Sequence, residues 1–378
     1  MSPWGCVAIF RRMRARVPRI RTRHLRETRG LYSDVRAMTP VRVPPNGSPP
    51  LADAGLGRRQ ALGAIAWGLV TAGCNRSTGG AGGAANRTIK VGHLRISPHL
   101  MAPKFYAQFL PPDLAIETIP FNNSTEVKTA VVTGSVDFAV TGVTAALEGA
   151  SRGEPFRILA AAADGASAIV TRIDRHIDSL TDLRGKAVGY VPGSAQDILL
   201  RLSLRDRGLD AEKDVRLLKV GFGDMANALE KGDIDAFTGA ETGPSDSLVR
   251  GNSKVLLYPY DTKMGKINII FGTRQEMIDK EPELCRTLVG AHAKATDFMK
   301  AHPDVWAETT IKSWGASLEA VRLAIKNISL RWEIDDAYIP QARVLGEQLL
   351  ELKQIKQQPD YQAVFETRFV LPLMQARR

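Results

Sequence analysis

The stretch "KAVGYVPGSAQDILLRLSLRDRGLD" (186–210) joins an apolar strand directly to an amphipathic helix. Gly193 and Ser194 stand at the junction. Ser194 is a preferred helix N-cap, Asp197 follows three residues later, and Gly208 is suited to end the helix. A helix N-terminus without bulky side chains also binds anions and other hydrogen-bond acceptors. The junction is interpreted as both a cap and a ligand contact, with a cap alone as the alternative.

Short strands alternate with helices on both sides of this stretch. Upstream, "TIKVGHL" (88–94), "LAIETIPF" (114–121) and "VDFAVTG" (136–142) are strand-like, and the first of the intervening helices is expected over 98–110. Downstream, "VRLLKVG" (215–221) and "IDAFTGA" (234–240) continue the pattern. Such alternation is typical of α/β domains with largely parallel sheets. The sequence therefore predicts the α/β class.

One unit of this pattern occurs twice. "AVVTGSVDFAVTG" (130–142) and "ALEKGDIDAFTGA" (228–240) both contain a helix end, a glycine, an aspartate and a strand ending in Thr-Gly. Gly134 and Gly232 are suited to be left-handed helix caps. Two α/β lobes built on the same plan are predicted, with a chance match as the alternative. After residue 279 the chain is expected to be helical, over 282–300, 303–314, 318–328, 337–352 and 361–369.

Charge is distributed unevenly along the 378 residues, whose formal net charge is +11. The first 60 residues contain 13 Arg, no Lys and three acids, whereas the other 318 residues hold 38 basic and 37 acidic side chains. The chain beyond residue 60 is therefore close to neutral, and we expect no nucleic-acid partner. Residues 1–57 are expected to be a disordered leader that results from a start codon assigned too far upstream. A basic arm is the alternative.

An export signal is expected over 58–74. Arg58 and Arg59 precede an apolar run from 61 to 73, which is too short to span a bilayer. Thr71, Ala72 and Gly73 then lead to Cys74, which resembles the lipidated cysteine of bacterial lipoprotein signals, although these usually have leucine where Thr71 stands. A buried helix is the alternative. Residues 75–87, rich in Gly and Ala, are expected to be a flexible tether.

Cysteine usage agrees with this interpretation. Only Cys6, Cys74 and Cys285 occur in the chain. Cys285 is expected to be a buried apolar residue, since neither a disulfide pair nor a zinc-binding spacing remains. We expect no metal and no cofactor.

Three motifs resemble one family of proteins. They are "LTDLRGKAVGYVPGSAQDILLRLSLRDRGLDAEKDVRLLKV" (180–220), "ALEKGDIDAFTGAE" (228–241) and "VKTAVVTGSVDFAVTG" (127–142), and the lipoprotein-like leader agrees with them. They resemble the solute-binding proteins of ABC importers for nitrate, sulfonate, taurine and bicarbonate, and their thiamine-precursor-binding relatives. The resemblance implies a type II periplasmic-binding-protein fold. Lobe one would comprise 88–165 and 266–378 with the C-terminal helices, and lobe two 166–265, joined by two crossover strands.

The resemblance also implies a function. A monomer outside the cytoplasmic membrane, lipid-anchored or periplasmic, would capture a small sulfonate- or carboxylate-type solute and deliver it to a permease driven by an ATPase. A neutral heteroaromatic precursor of the thiamine type is the alternative solute. An enzyme on the same fold is a further alternative. Because neither a nucleophile elbow nor a phosphate loop occurs in the sequence, we expect that the protein is not an enzyme.

In this fold, ligands bind outside the carboxyl ends of the strands. The junctions at 93–101, 122–125, 141–144 and 193–196 are therefore expected to face the cleft. Glu241 follows a strand where the family often has Glu-Pro, and a carboxylate there would favour an amine or N–H over a bare anion. A hinge-edge salt bridge is its alternative role. The predicted ligand-binding residues are His93, Ser97, Asn123, Ser124, Thr141, Ser167, Gly193, Ser194, Ala195, Gln196 and Glu241.

Overall fold

The structure is a computed structural model that describes residues 87–95 and 97–377. The predicted leader, export signal, Cys74 and the tether up to residue 86 lie outside the described residues. Eleven strands are found in the described part of the chain. They are β1 (Arg87–Leu94), β2 (Leu114–Phe121), β3 (Phe138–Gly142), β4 (Phe156–Gly165), β5 (Ser167–Arg172), β6 (Ala187–Tyr190), β7 (Arg216–Lys219), β8 (Ala236–Ala240), β9 (Ser253–Leu257), β10 (Ile267–Arg274) and β11 (Ile328–Leu330).

The α-helices of the described residues lie between the strands and beyond them. They are α1 (Ser124–Val132), α2 (Val143–Ser151), α3 (Ala195–Arg205), α4 (Met225–Lys231), α5 (Gly243–Val249), α6 (Gln275–Lys280), α7 (Pro282–Ala301), α8 (Pro303–Trp314), α9 (Leu318–Ala324), α10 (Tyr338–Glu351), α11 (Tyr361–Val364) and α12 (Leu371–Arg377). Short 3-10 helices cover Pro98–Leu100, Ala102–Gln108, Ile173–Arg175, Leu180–Leu183, Ile325–Asn327 and Thr367–Phe369.

Two sheets are built on the same plan. The first has the order β11-β4-β10-β3-β1-β2 and the second β7-β6-β8-β5-β9. In each, a central strand lies between two parallel neighbours, β1 between β2 and β3, and β6 between β7 and β8. One of the two neighbours also pairs with an antiparallel strand on its other side: β3 with β10, and β8 with β5. The predicted α/β architecture of two similar units is confirmed.

The repeated sequence unit has matching contacts in the two sheets. Gly134 and Gly232 both have positive φ angles, 78° and 83°, where their helices end. The Asp137 carboxylate accepts a hydrogen bond from the Lys90 N–H at 2.9 Å, and the Asp235 carboxylate accepts one from the Ala187 N–H at 2.9 Å. Asp137 therefore holds β1 beside β3, and Asp235 holds β6 beside β8.

Two segments of chain connect the sheets. Ala166, with φ of 58°, is the single residue between β4 and β5, whereas residues 258–266 connect β9 to β10. The Ala166 N–H donates to the Asn327 carbonyl at 2.9 Å, and the Ala166 carbonyl accepts from the Glu241 N–H at 2.9 Å. The short connection is thus hydrogen-bonded on both sides.

Packing differs between the two sheets. Helix α7 covers the first sheet, where His292 stacks on Phe271 at 4.7 Å, accepts a hydrogen bond from the Tyr106 hydroxyl and donates one to the Ala161 carbonyl. Burial lowers the pKa of His292 to about 4, so the ring is neutral at pH 7. The second sheet buries separate apolar clusters, one around Leu200 and one around Phe237.

Across the described residues, no helix is both long and apolar enough to cross a membrane.

Most predicted elements are confirmed, but several differ. The helix expected over 361–369 is split into α11 and a 3-10 helix over Thr367–Phe369, and helices α6 and α12 were not predicted. The helix expected over 98–110 is wrong: two 3-10 helices occur there, and Pro103, which has no N–H to donate, stands at the start of the second. The helix expected over 318–328 ends in a 3-10 turn, and Ile328 begins strand β11, which pairs with β4. Helix α5 was not predicted because its segment, "GPSDSLV", has little apolar periodicity.

Candidate functional site

A cavity of about 1030 Å³ lies between the two sheets. Carboxyl ends of strands and first turns of helices from both sheets form its wall, as expected for ligand sites in α/β folds. The lining residues fall within 94–95, 97–99, 122–126, 142–148, 191–196, 221–226 and 240–246, together with Asn268, Ile269 and Gln354.

The start of helix α3 forms one side of this cavity. Gly193, Ser194, Ala195 and Gln196 all line it, as predicted. The Ser194 hydroxyl accepts from the Asp197 N–H at 3.2 Å, so the predicted cap is confirmed, and it donates to the Val191 carbonyl at 2.7 Å. Its proton is thereby committed, and only acceptor capacity remains for a solute.

The start of helix α1 forms the opposite side. Asn123 caps this helix through a bond from the Glu126 N–H at 2.9 Å, and its Nδ2 donates to Glu126 Oε1 at 2.8 Å. Ser124 Oγ accepts from the Gly142 N–H at 3.2 Å. Asn123 and Ser124 line the cavity, whereas Thr141 is buried behind Ser124 and does not line it.

The end of β1 supplies Ser97 but not His93. The His93 ring is buried and its Nδ1 lies 2.9 Å from the Leu94 carbonyl, so His93 does not line the cavity. Burial lowers the pKa of His93. Ser97 does line the cavity and donates to the Glu241 carbonyl at 3.0 Å. His99 also lines it, and complete burial lowers its pKa to about 3, so its ring is neutral.

Glu241 lies where the two sheets meet. Its Oε2 accepts from the Ser245 hydroxyl at 2.8 Å and from the Ser245 N–H at 3.2 Å, while Oε1 accepts from Asn327 Nδ2 at 3.0 Å. Burial raises the pKa of Glu241, and hydrogen bonds from Asn327 and Ser245 oppose the shift. Although Glu241 lines the cavity, most of its acceptor capacity is used by the protein.

Ser167 stands at the same meeting point but does not line the cavity. Its N–H donates to the Tyr260 hydroxyl at 2.8 Å, and its hydroxyl accepts from Gln196 Nε2 at 2.9 Å. Ser167 therefore positions Gln196, which does line the cavity.

Sequence reasoning missed several lining residues, among them the segments within 221–226 and 242–246 and the side chains of Glu148, Asn268 and Gln354. Glu148 is one helical turn beyond Thr144, so the helical period could have identified it. Asn268 is an isolated polar residue in the apolar strand "INIIFG", which is also a recognisable signal. Gln354 follows α10, about 160 residues away from the Gly193 that it contacts, and no local pattern identifies it.

The charge of the lining is mainly negative. One arginine, Arg95, lines the cavity together with five acids, a formal charge of −4 when all are ionised; the acids are Glu126, Glu148, Asp224, Glu241 and Asp246. Burial raises the pKa of Glu148, and Arg152 and Lys128 oppose the shift.

The described residues contain no group of three or more His, Cys, Asp or Glu placed to hold a metal ion. Cys285 is buried, and burial raises its pKa to about 12.

Comparison with known proteins gives a family. The family model described as "NMT1/THI5 like" matches residues 109–305, more than half of the chain. The chain belongs to the NMT1/THI5-like family. This NMT1/THI5-like protein is also 29% identical over 132 residues to the nitrate import ATP-binding protein NrtC of Synechocystis sp., covering 32% of this chain and 20% of NrtC. The chain spans less than half of the length of the curated relatives that it matches.

Solved structures agree with the fold of this NMT1/THI5-like protein. The periplasmic aliphatic sulphonate binding protein SsuA from Escherichia coli has a TM-score of 0.65 at 16% identity, covering 74% of this chain and 91% of SsuA. The periplasmic nitrate-binding protein NrtA from Synechocystis has a TM-score of 0.64 at 17% identity, covering 76% of this chain and 88% of NrtA. The periplasmic-binding-protein fold implied by the sequence is confirmed.

Proposed function

We propose that this protein is the solute-binding component of an ABC importer, outside the cytoplasmic membrane. It captures a small organic solute between the two sheets and delivers it to a membrane permease driven by an ATPase. The observation that carries the proposal is the cavity of about 1030 Å³, which is lined by helix starts from both sheets. A volume of this size suits a small molecule.

Closure around the solute follows from the position of the cavity. A solute that contacts both sides stabilises the arrangement in which the sides are close together, and the equilibrium shifts toward that closed state. We propose that 88–165 with 266–378 moves as lobe one and 166–265 as lobe two. The division is supported by the two sheets, whose strands fall within these ranges.

The lining also supports a chemical class of solute. Helices α2 and α3 begin at the cavity, and their free N–H groups favour a carboxylate or sulfonate. The five acidic side chains disfavour a bare inorganic anion. We therefore propose a sulfonate or carboxylate that also carries an N–H donor.

Binding without catalysis is part of the proposal. Cys285, the cysteine of the described residues, is a buried thiol rather than an exposed nucleophile. The two solved structures compared above are named as binding proteins. Export through the 58–74 signal, lipid attachment at Cys74 and a monomeric state complete the proposal.

A ligand screen tests the function. Thermal shift of the full chain with sulfonates, carboxylates, amino acids and heteroaromatic bases is expected to yield a compound that raises the melting temperature saturably. Isothermal titration then gives the stoichiometry, with one solute per chain expected. Mass spectrometry after overnight incubation distinguishes binding from catalysis, because a bound solute is recovered unchanged. A screen that yields no ligand, or a hit that is converted to product, contradicts the proposal.

A further inference from the structure

Asn268 is an amide of strand β10 that lines the solute cavity and is only 5% exposed. Its Nδ2 donates to the Gly165 carbonyl at 2.8 Å. Because a carbonyl oxygen only accepts, this bond fixes which end of the amide is nitrogen. The other end, Oδ1, is an acceptor with no hydrogen-bond partner among residues 87–95 and 97–377.

Gln196 has the same arrangement on the other side of the cavity. It is 3% exposed, and its Nε2 donates to Ser167 Oγ at 2.9 Å. The Ser167 hydroxyl donates onward to the same Gly165 carbonyl at 3.3 Å, so it accepts from Gln196. Gln196 Oε1 is consequently a second acceptor without a partner in the described chain.

The Asn268 amide donates to the Gly165 carbonyl directly, and the Gln196 amide is linked to it through the Ser167 hydroxyl. In both side chains the acceptor oxygen has no partner in the described chain. Neither oxygen is among the fully buried atoms that lack a partner in the described residues, so both acceptors are open to the cavity, where a donor on a solute can reach them. Two elements of the wall, strand β10 and the start of helix α3, therefore favour a solute that donates hydrogen bonds.

Glu148 adds a negative charge to the lining, which favours a positively charged donor on the solute. The half-buried carboxylate lines the cavity from helix α2, and none of its oxygens has a hydrogen bond or salt bridge to a described residue. The lining as a whole carries one arginine against five acids. A positively charged group would be attracted by these carboxylates.

We propose that the solute carries a protonated nitrogen group, an ammonium or an amidinium, which Asn268, Gln196 and Glu148 bind. The inference rests on the proposed function, since it names the chemistry of the solute held in the same cavity. An acidic group elsewhere on the solute is compatible with it, whereas a solute without a cationic nitrogen is not.

The test compares matched probes on the full chain by thermal shift and titration. The first set is benzamidine, benzamide and benzoate, and the second is butylamine, butyramide and butanesulfonate. Benzamidine and butylamine are expected to bind roughly tenfold or more tightly than their neutral and anionic counterparts. Tighter or equal binding of the neutral or anionic probes overturns the inference and leaves the proposed function standing. A chain that binds none of these probes and no compound of the wider screen overturns both.

Variants test the named residues. Glu148→Gln is expected to weaken benzamidine binding roughly tenfold, and Asn268→Leu to weaken it comparably. Glu308→Gln, a change on exposed helix α8, is the matched control and is expected to leave the affinity unchanged. If Asn268→Leu does not fold, Gln196→Met carries the same test. Unchanged benzamidine affinity in well-folded Glu148→Gln overturns the assignment.

Discussion

The side-chain amide of Gln354 occupies the space that a Cβ atom at residue 193 would need, because Gly193 lies directly beneath it. Gly193 has a φ of 72°, and Gln354 lines the cavity. The segment after helix α10 thus closes over the start of helix α3. Arg205 of α3 also contacts Gln348 and Glu351 of α10, which holds the two helices together.

Gly193→Ala is expected to reduce both stability and solute affinity. Alanine in a left-handed conformation costs about 1–2 kcal/mol, and at residue 193 it also displaces Gln354. Gly208 has the same φ of 72°, and a Cβ atom added there would meet no other atom within 4 Å, so Gly208→Ala is the control. Urea unfolding and titration of the screened ligand compare the two. Equal stability losses with equal affinities would contradict the closing role of Gln354.

Ser194→Ala is expected to lower the free energy of unfolding by about 1 kcal/mol, and Ser194→Gly by a few tenths, because glycine is a tolerated N-cap. Ser317 caps helix α9 in the same way, accepting from the Ala320 N–H at 3.1 Å, but does not line the cavity. Ser317→Ala should match the stability loss without changing solute affinity. An affinity loss confined to the Ser194 variants would identify that hydroxyl as a solute contact.

Glu241→Gln is expected to destabilise the protein by about 1–3 kcal/mol. The carboxylate accepts from both Asn327 and Ser245, and the NH₂ of glutamine must face one of those donors. Denaturant unfolding measures the loss. The outcome that contradicts this account is unchanged stability with altered affinity, which would make Glu241 primarily a solute ligand.

Asp137→Ala and Asp235→Ala are expected to cost about 2 kcal/mol each, since each removes an acceptor from a strand N–H. Hydrogen exchange should locate the loss at the Lys90 amide in the first variant and at the Ala187 amide in the second. Asp233→Ala, at an exposed neighbouring position, should change stability by less than about 0.5 kcal/mol. Exchange that increases equally in both sheets would argue against two separate clamps.

Glu148→Gln is expected to raise stability at pH 7 by less than about 1 kcal/mol, since the group is only half-buried. Burial raises the pKa of Glu148, so the folded protein binds this proton more tightly than the unfolded chain does. The wild type therefore gains stability as pH falls through the folded pKa, and the advantage of the variant disappears below the unfolded pKa. Melting temperatures of both proteins between pH 3 and 8 check the sign. A variant advantage that grows at low pH would contradict it.

Local signals account for what the sequence predicted well. The cap at Ser194 and the glycine ends at Gly134 and Gly232 depend on neighbours within a few residues, so spacing alone identifies them. The prediction of two similar units rested on a short pattern that occurs twice. The aspartates of the two copies, Asp137 and Asp235, make the same contact in their own sheets.

Contacts between distant parts of the chain account for what was missed. Ile328 forms a strand only because β4 offers it an edge, and the pairing residue is Gly165. His93 occupies the expected junction, yet its ring turns toward the Leu94 carbonyl instead of the cavity. Gln354 reaches the cavity because α10 docks on α3. None of these outcomes is encoded in a local period.

The two connections between the sheets differ in length, and this difference bears on the proposed opening motion. Ala166 alone links β4 to β5 and is hydrogen-bonded to Asn327 and Glu241, whereas the return path has the nine residues 258–266. In the proposed closing motion, the one-residue link would keep the two sheets close together at Ala166, and the nine-residue link would allow them to rotate about that point. We therefore propose Ala166 as the pivot of that motion. A small change in the backbone angles of Ala166 would then move the far rim of the cavity, so the width of the solute entrance would depend on a residue that does not line the cavity.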